Sequence, residues 1–407
     1  MSLTIKNNID ELATFGGAPL FDGLIHVGRP NLPEREALIR RINEVLDNRW
    51  LTNKGPFVLE LEKRIANYLG VKHCITICNG TIALEIIIKA LKLKGEVICP
   101  SFTFIATAHA LQWLCLRPVF CDIDPRTHNL DPKQVEKLIT QKTSGIVGVH
   151  LWGRPCAIEE LTALANKHQL KLFFDAAHAF GATHGGRMIG GFGEAEVFSF
   201  HATKMFNTFE GGAITTNNDD LAARCRLLKN FGFKDYDLVL FPGTNGKMSE
   251  IHAAMGLGMM DSLDHIIKEN KKHYRTYQHI LKEQDGLRIV SYAETEQSNF
   301  QYVVVEIDEG VTMLSRDQLV ELFFTENILA RRYFYPGCHR MEPYASDPTQ
   351  DTDLLKQTDR ISQRTLCLPT GTSLTTEDVE KIGRLLIFLI KNGKSILEKL
   401  QTSIQLI

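Results

Sequence analysis

Between residues 57 and 216, short apolar runs alternate with stretches whose apolar positions recur every three or four residues. Residues 56–69 place Val58, Leu59, Leu61, Ile65 and Leu69 at the spacing of an amphipathic helix. Residues 83–91 and 158–168 predict two more helices. Runs of strand length stand at 96–99, 118–123, 145–150, 171–174, 196–200 and 213–215. Several are apolar on both alternating faces, as in a sheet covered by helices on each side. This βαβ-like order predicts an α/β domain built on a mostly parallel sheet.

From residue 249 to 282 the pattern becomes one long helix, interrupted by Gly256 and Gly258. It reads as the exit from the large domain. Beyond it lie strand patterns at 288–291, 302–307 and 329–335, and helix patterns at 316–326 and 376–391. They predict a smaller α+β domain. The expected division is an N-terminal segment and large domain over 1–260, then a linking helix and small C-terminal domain over 261–407.

At 407 residues, 44% of them hydrophobic, the chain has material for more than one core. Its 46 Lys and Arg against 48 Asp and Glu give a net charge of −2, so no basic footprint for nucleic acid or an anionic membrane is present. No stretch approaches the ~20 apolar residues of a membrane span. The opening MSLTIKNNIDELATF lacks the basic flank and apolar core of a secretory signal. Nine cysteines, none in Cys-x-x-Cys spacing and most in apolar runs, predict free thiols in a reducing cytoplasm and no metal site.

Four features fall at the ends of strands, where open α/β sheets place ligands. Asn79-Gly80-Thr81 opens a helix and offers backbone N–H groups to a phosphate, or is an ordinary N-cap. Asp175 ends the apolar run Phe173-Phe174. A carboxylate there needs a partner, either a helix start or a cationic ring nitrogen; His178 follows one turn later. Lys204 follows Ser199-Phe200-His201-Ala202-Thr203 and precedes Glu210-Gly211-Gly212. Most lysines are solvated surface charges, but one desolvated in this setting has a lowered pKa and acts as nucleophile and base. Phe102 and Phe104, just past a strand, either pack in the core or stack on a flat ring. A single cofactor, pyridoxal phosphate, would use all four: helix start, stacking aromatic, carboxylate and amine.

At these residues the chain resembles the DegT/DnrJ/StrS-type nucleotide-sugar aminotransferases, within the fold type I pyridoxal-phosphate enzymes. The resemblance runs from the segment at 48–56, Asn-Arg-Trp-Leu-Thr-Asn-Lys-Gly-Pro, through Ser199–Gly212, to the segment at 245–250, Asn-Gly-Lys-Met-Ser-Glu. It implies a large domain with a mostly parallel seven-stranded sheet and a smaller C-terminal α+β domain. It implies Lys204 as the Schiff-base lysine and Asp175 as the partner of ring N1. Phe104 matches the stacking aromatic; Gly80, Thr81 and Ser199 match phosphate binders. Asn245 matches a residue reaching the phosphate of a neighbouring subunit, which implies a homodimer with shared active sites. His178 departs from the Gln of many members, leaving open the contact to the ring hydroxyl. A dehydratase branch carries His in place of the lysine, so Lys204 points to transamination.

Runs at 15–21, 26–32 and 149–156 resemble the members that aminate C4 of dTDP-4-keto-6-deoxy-D-glucose with L-glutamate, which leaves as 2-oxoglutarate. Candidates for that nucleotide-linked 4-ketosugar are Lys54, His201, Arg331, Arg332 and Tyr335; each could equally be an exposed charge or a packed aromatic. C3 amination, a galacto product, or a non-catalytic regulator on the same scaffold are the competing readings.

Overall fold

The computed structural model describes residues 6–347 and 351–404; the first five residues of the stretch read for a leader lie outside them. Its centre is a seven-stranded sheet. In chain order the strands are β1 (His73–Ile77), β2 (Glu96–Pro100), β3 (Arg117–Cys121), β4 (Thr143–Val149), β5 (Lys171–Asp175), β6 (Glu196–Ser199) and β7 (Gly212–Thr216). They lie side by side as β1-β7-β6-β5-β4-β2-β3. Only β7 runs antiparallel to its neighbours. Six strands therefore present their carboxyl ends along one edge, where the crevice of an open α/β sheet lies.

Alternate residues of each strand feed two apolar layers. Cys74, Ile98, Ile146, Phe174 and Phe198 pack on helices Pro56–Leu69 and Ile158–His168 and on the first half of Glu250–Leu281. Ile75, Val97, Val147, Phe173 and Val197 pack on Gly80–Ala90, Ala106–Trp113 and Asp219–Leu228. Burial on both faces explains why the strand sequences read as continuous apolar runs.

Beyond the large body, Leu287–Ile289, Val303–Ile307 and Thr365–Leu368 form a three-stranded antiparallel sheet. Its core takes in Tyr274, Tyr277, Phe323, Ile382 and Leu385. Leu12 and Ile25 from the N-terminal segment join it, and Ile25–His26 pairs in parallel with Ile328–Leu329. We propose a division near residue 260, within the long helix, with the N-terminal segment crossing to the smaller body.

Three expectations are corrected. The helix Glu250–Leu281 is unbroken over 32 residues. Gly256 and Gly258 serve close packing: a Cβ at 256 would stand 2.7 Å from Leu61 Cδ2 and 2.9 Å from Thr208 Cγ2, and one at 258 would stand 3.0 Å from Pro33. The strand expected at 329–335 ends at Leu329. Past an isolated bridge from Arg331 to Cys367 the chain turns, with Tyr335 N–H donating to Arg332 C=O at 2.9 Å. Strand β1 and the helices Ala106–Trp113 and Asp219–Leu228 had no counterpart in the pattern.

Candidate active site

The carboxyl edge of the sheet gathers Asp175, His178 and Lys204, and Gly80 with Ser199, but not Lys54 or Asn245. Asp175, the last residue of β5, is only 6% exposed. Its Oδ2 accepts from Thr107 Oγ1 at 2.8 Å and its Oδ1 from Ala177 N–H at 3.1 Å. Burial raises its pKa, opposed by these hydrogen bonds and by the charge of Lys204. Lys204 is half-buried, and its amine is desolvated by the surrounding protein. That desolvation lowers its pKa to about 8, against the opposing pull of Asp175. A neutral amine is thus accessible near physiological pH, as a nucleophile or base requires.

His178 is buried among aromatics. Its ring lies 5.9 Å from Phe334 at 10° and 6.2 Å from Trp152 at 16°. Burial first, then the charge of Lys204, holds its pKa well below the usual value, so the ring is neutral. Nδ1 accepts from Trp152 N–H at 3.4 Å, which leaves the proton on Nε2. Behind β5, His150 and Glu196 form a fully buried pair at 2.9 Å, and His150 N–H donates to Asp175 C=O at 3.0 Å.

Helix Gly80–Ala90 begins at the end of β1, with Asn79 as N-cap accepting from Ile82 N–H at 2.8 Å. The amides of Gly80 and Thr81 have no intrahelical partner. Cap and anion cradle are therefore the same turn. Ser199, at the end of β6, packs on it: a Cβ on Gly80 would stand 3.0 Å from Ser199 Cβ. Gly212 closes the cradle from below, where a Cβ would stand 2.7 Å from Phe198 O and 3.0 Å from Gly80 N.

Phe102 is core, whereas Phe104 is 56% exposed. Phe104 lines a cavity of about 450 Å³ with Arg331, Arg332, Tyr333, Phe334 and Tyr335. Arg332 pairs with Asp317 at 3.0 Å and lies over Tyr335. Arg331 lies over Tyr333 and has no carboxylate partner among the described residues. Lys54 is elsewhere, on a cavity of about 850 Å³ that also takes in Arg49, Lys234 and Lys247. Exposed Asn245 accepts from Lys247 Nζ at 2.6 Å. His201 is exposed, bonded to Thr203 Oγ1 at 2.8 Å and 3.5 Å from Glu210.

Thr107, Trp152 and His150 were missed by sequence reasoning. Thr107 lies on a helix with no clear apolar period, and the other two sit in a run that reads as strand and turn.

The arrangement fits pyridoxal phosphate. It offers a helix start and hydroxyls for a phosphate, a buried carboxylate for a ring nitrogen, and a desolvated amine for an aldehyde.

Comparison with known proteins agrees. A dTDP-4-amino-4,6-dideoxy-D-glucose transaminase of Escherichia coli is 39% identical over 369 residues, 90% of this chain and 99% of that protein. A GDP-perosamine synthase of Caulobacter vibrioides is 37% identical over 88% of this chain and 96% of its own length. The crystal structure of DesI in the presence of its TDP-sugar product matches with a TM-score of 0.93 and 46% identity, covering 97% of this chain and all of that one. Helicobacter pylori PseC, an aminotransferase of pseudoaminic acid biosynthesis, matches at a TM-score of 0.83 and 26% identity over 89% of this chain and 99% of its own. The sequence profile of the DegT/DnrJ/EryC1/StrS aminotransferase family spans residues 33–386, and the chain belongs to that family.

Proposed function

We propose that this transaminase moves the amino group of L-glutamate to C4 of dTDP-4-keto-6-deoxy-D-glucose, giving dTDP-4-amino-4,6-dideoxy-D-glucose and 2-oxoglutarate. The fold is that of fold type I, and the cofactor is pyridoxal phosphate. The observation that carries the reading is a buried carboxylate, Asp175, and a desolvated amine, Lys204, each acting on the other's charge at the carboxyl edge, in a chain that matches a dTDP-4-amino-4,6-dideoxy-D-glucose transaminase along nearly its full length.

Pyridoxal phosphate supplies an aldehyde that condenses with amines and a ring that takes up an electron pair. Gly80, Thr81 and Ser199 hold the phosphate, and Phe104 covers the ring. Asp175 keeps a proton on the ring nitrogen. Lys204 Nζ would hold the cofactor's aldehyde carbon, and as a neutral amine it is the group suited to carry a proton to and from the donor's α-carbon. Neutral His178 donates from Nε2 without adding a charge beside Lys204. Arg331, Arg332 and Tyr335 form the outer wall against which the substrate lies.

Lys54, His201 and Asn245 stand apart from that wall, and we propose that Asn245 and Lys54 serve the site of a second copy. Exposed Trp50, Leu51, Phe233, Tyr236 and Leu238 near them provide apolar surface for a homodimer. We place the enzyme in the cytoplasm, in keeping with nine free cysteines. Among the described residues no helix is long and apolar enough to cross a membrane.

Incubation with L-glutamate and the 4-ketosugar nucleotide, followed by NMR of the product, tests the reaction. An equatorial amine at C4 is expected; amination at C3 or an axial C4 amine would overturn the substrate assignment. Borohydride reduction of the holoenzyme is expected to add the cofactor's mass to the peptide carrying Lys204, and to leave Lys204→Ala unlabelled.

A further inference from the structure

Asp175 is held by a hydroxyl chain that runs back into helix Ala106–Trp113. Thr107 Oγ1 lies 2.8 Å from Asp175 Oδ2, and Thr103 Oγ1 lies 3.2 Å from Thr107 Oγ1. All three residues are buried. Hydrogen-bond chemistry fixes the direction of this chain. An ionised carboxylate only accepts, so Thr107 spends its single proton on Asp175, and Thr103 donates to Thr107. The other carboxylate oxygen accepts from Ala177 N–H at 3.1 Å. A protonated Asp175 would have to reverse the chain or lose one of these bonds. Thr107 N–H also donates to Phe104 C=O at 3.2 Å, so the same residue ties the loop bearing Phe104 to the carboxylate.

We propose that Thr107, backed by Thr103, is a positioning residue that keeps Asp175 ionised and aimed before any cofactor arrives. The proposal rests on the reading of Asp175 as the partner of the ring nitrogen. The charged and titratable groups facing Asp175 are Lys204 from the cleft, His150 from the end of β4 and neutral His178 from the following turn. Burial drives the carboxylate toward its protonated form, and the largest opposing contribution is the Thr107 hydroxyl. A charge-assisted bond of this kind favours the ionised form on the order of tenfold or more. Removing it shifts Asp175 toward its protonated form, and a carboxyl so shifted selects a cationic ring less strongly.

The experiment uses the full chain stripped of cofactor and selectively labelled with aspartate carrying 13C at Cγ. Loss of signal in Asp175→Asn identifies the resonance. In Thr107→Val, which keeps shape and removes the hydroxyl, the Asp175 titration is expected to move to higher pH, and pyridoxal phosphate affinity to fall about tenfold. Thr107→Ser is expected to restore both. Thr103→Val is expected to shift the titration in the same direction by less. An unchanged Asp175 titration in Thr107→Val, with the fold intact by circular dichroism, overturns the proposal. Failure of the underlying reading looks different: Asp175→Asn would then bind the cofactor as tightly as the parent.

Discussion

Asp175 and Lys204 act on each other's protonation across the carboxyl edge of the sheet, the carboxylate favouring the ammonium and the ammonium favouring the carboxylate. Cofactor capture needs the neutral amine, so its rate in the stripped enzyme is expected to rise with pH through about 8. Removing the carboxylate removes the negative charge that raises the lysine's pKa. Asp175→Asn is therefore expected to shift that profile to lower pH while weakening equilibrium binding of the cofactor. Stopped-flow absorbance across a pH series measures both; a profile unmoved by the substitution would contradict the coupling.

Gly212→Ala is expected to damage cofactor binding from beneath the cradle. The added methyl meets the carbonyl of Phe198 and the amide of Gly80, neither of which can turn aside as a side chain does. Overpacking of this type costs about 1–3 kcal/mol. Thermal unfolding with and without pyridoxal phosphate separates the effects: the variant is expected to lose stability in both and to gain less than the parent from the cofactor.

Arg331 and Arg332 are adjacent in sequence but unequal in charge environment, since Asp317 pairs with Arg332 and not with Arg331. Arg331→Gln is expected to raise KM for the nucleotide sugar at least severalfold with little change in kcat. Arg332→Gln is expected to do less, with Asp317 retaining its bond to Arg316 Nε at 2.7 Å. Half-reaction kinetics, with glutamate and ketosugar added separately, show which substrate each arginine serves. Equal effects would remove the distinction.

His128 joins the two bodies: Trp152 Nε1 donates to its Nδ1 at 3.1 Å, and its Nε2 lies 2.7 Å from Glu306. Burial, with the nearby Arg288 charge, depresses its pKa to about 3. The unfolded chain therefore takes up a proton near pH 6.5 that the folded chain refuses until about pH 3. The stability this group contributes is present above pH 6.5 and is lost as pH falls toward 3. His128→Gln keeps hydrogen bonding without that titration, and its unfolding free energy is expected to fall less steeply over this interval in denaturant melts.

Much of this molecule was legible in the sequence where the local pattern and the tertiary environment agree. Helices Pro56–Leu69, Ile158–His168 and Thr376–Lys391 have the bounds that their apolar spacing predicts. Helix Ala106–Trp113 was illegible because most of its buried residues are small: Thr107, Ala108 and Ala110 pack beside Leu111 without an apolar period to announce them. Thr107 went unread with it, since a hydroxyl's role depends on a carboxylate 68 positions away. Likewise Gly256 and Gly258 read as breaks, although each is set by a neighbour remote in sequence. For the site, Asp175, Lys204 and the turn at Gly80 carried their own signal at strand ends, while the separation of Lys54 from Arg331 is a fact of the third dimension alone.

The helix Glu250–Leu281 has a mechanical consequence. At about 1.5 Å per residue it spans roughly 48 Å. Glu250 at its head accepts from Phe57 and Val58 N–H at 2.8 and 3.0 Å, and Tyr277 and Leu281 near its foot lie in the second core. A strut anchored in this way at top and bottom resists bending at its middle. Because the same stiff element is embedded in both cores, any swing of the smaller body against the larger has to bend this helix or draw one of its ends out of the core that holds it.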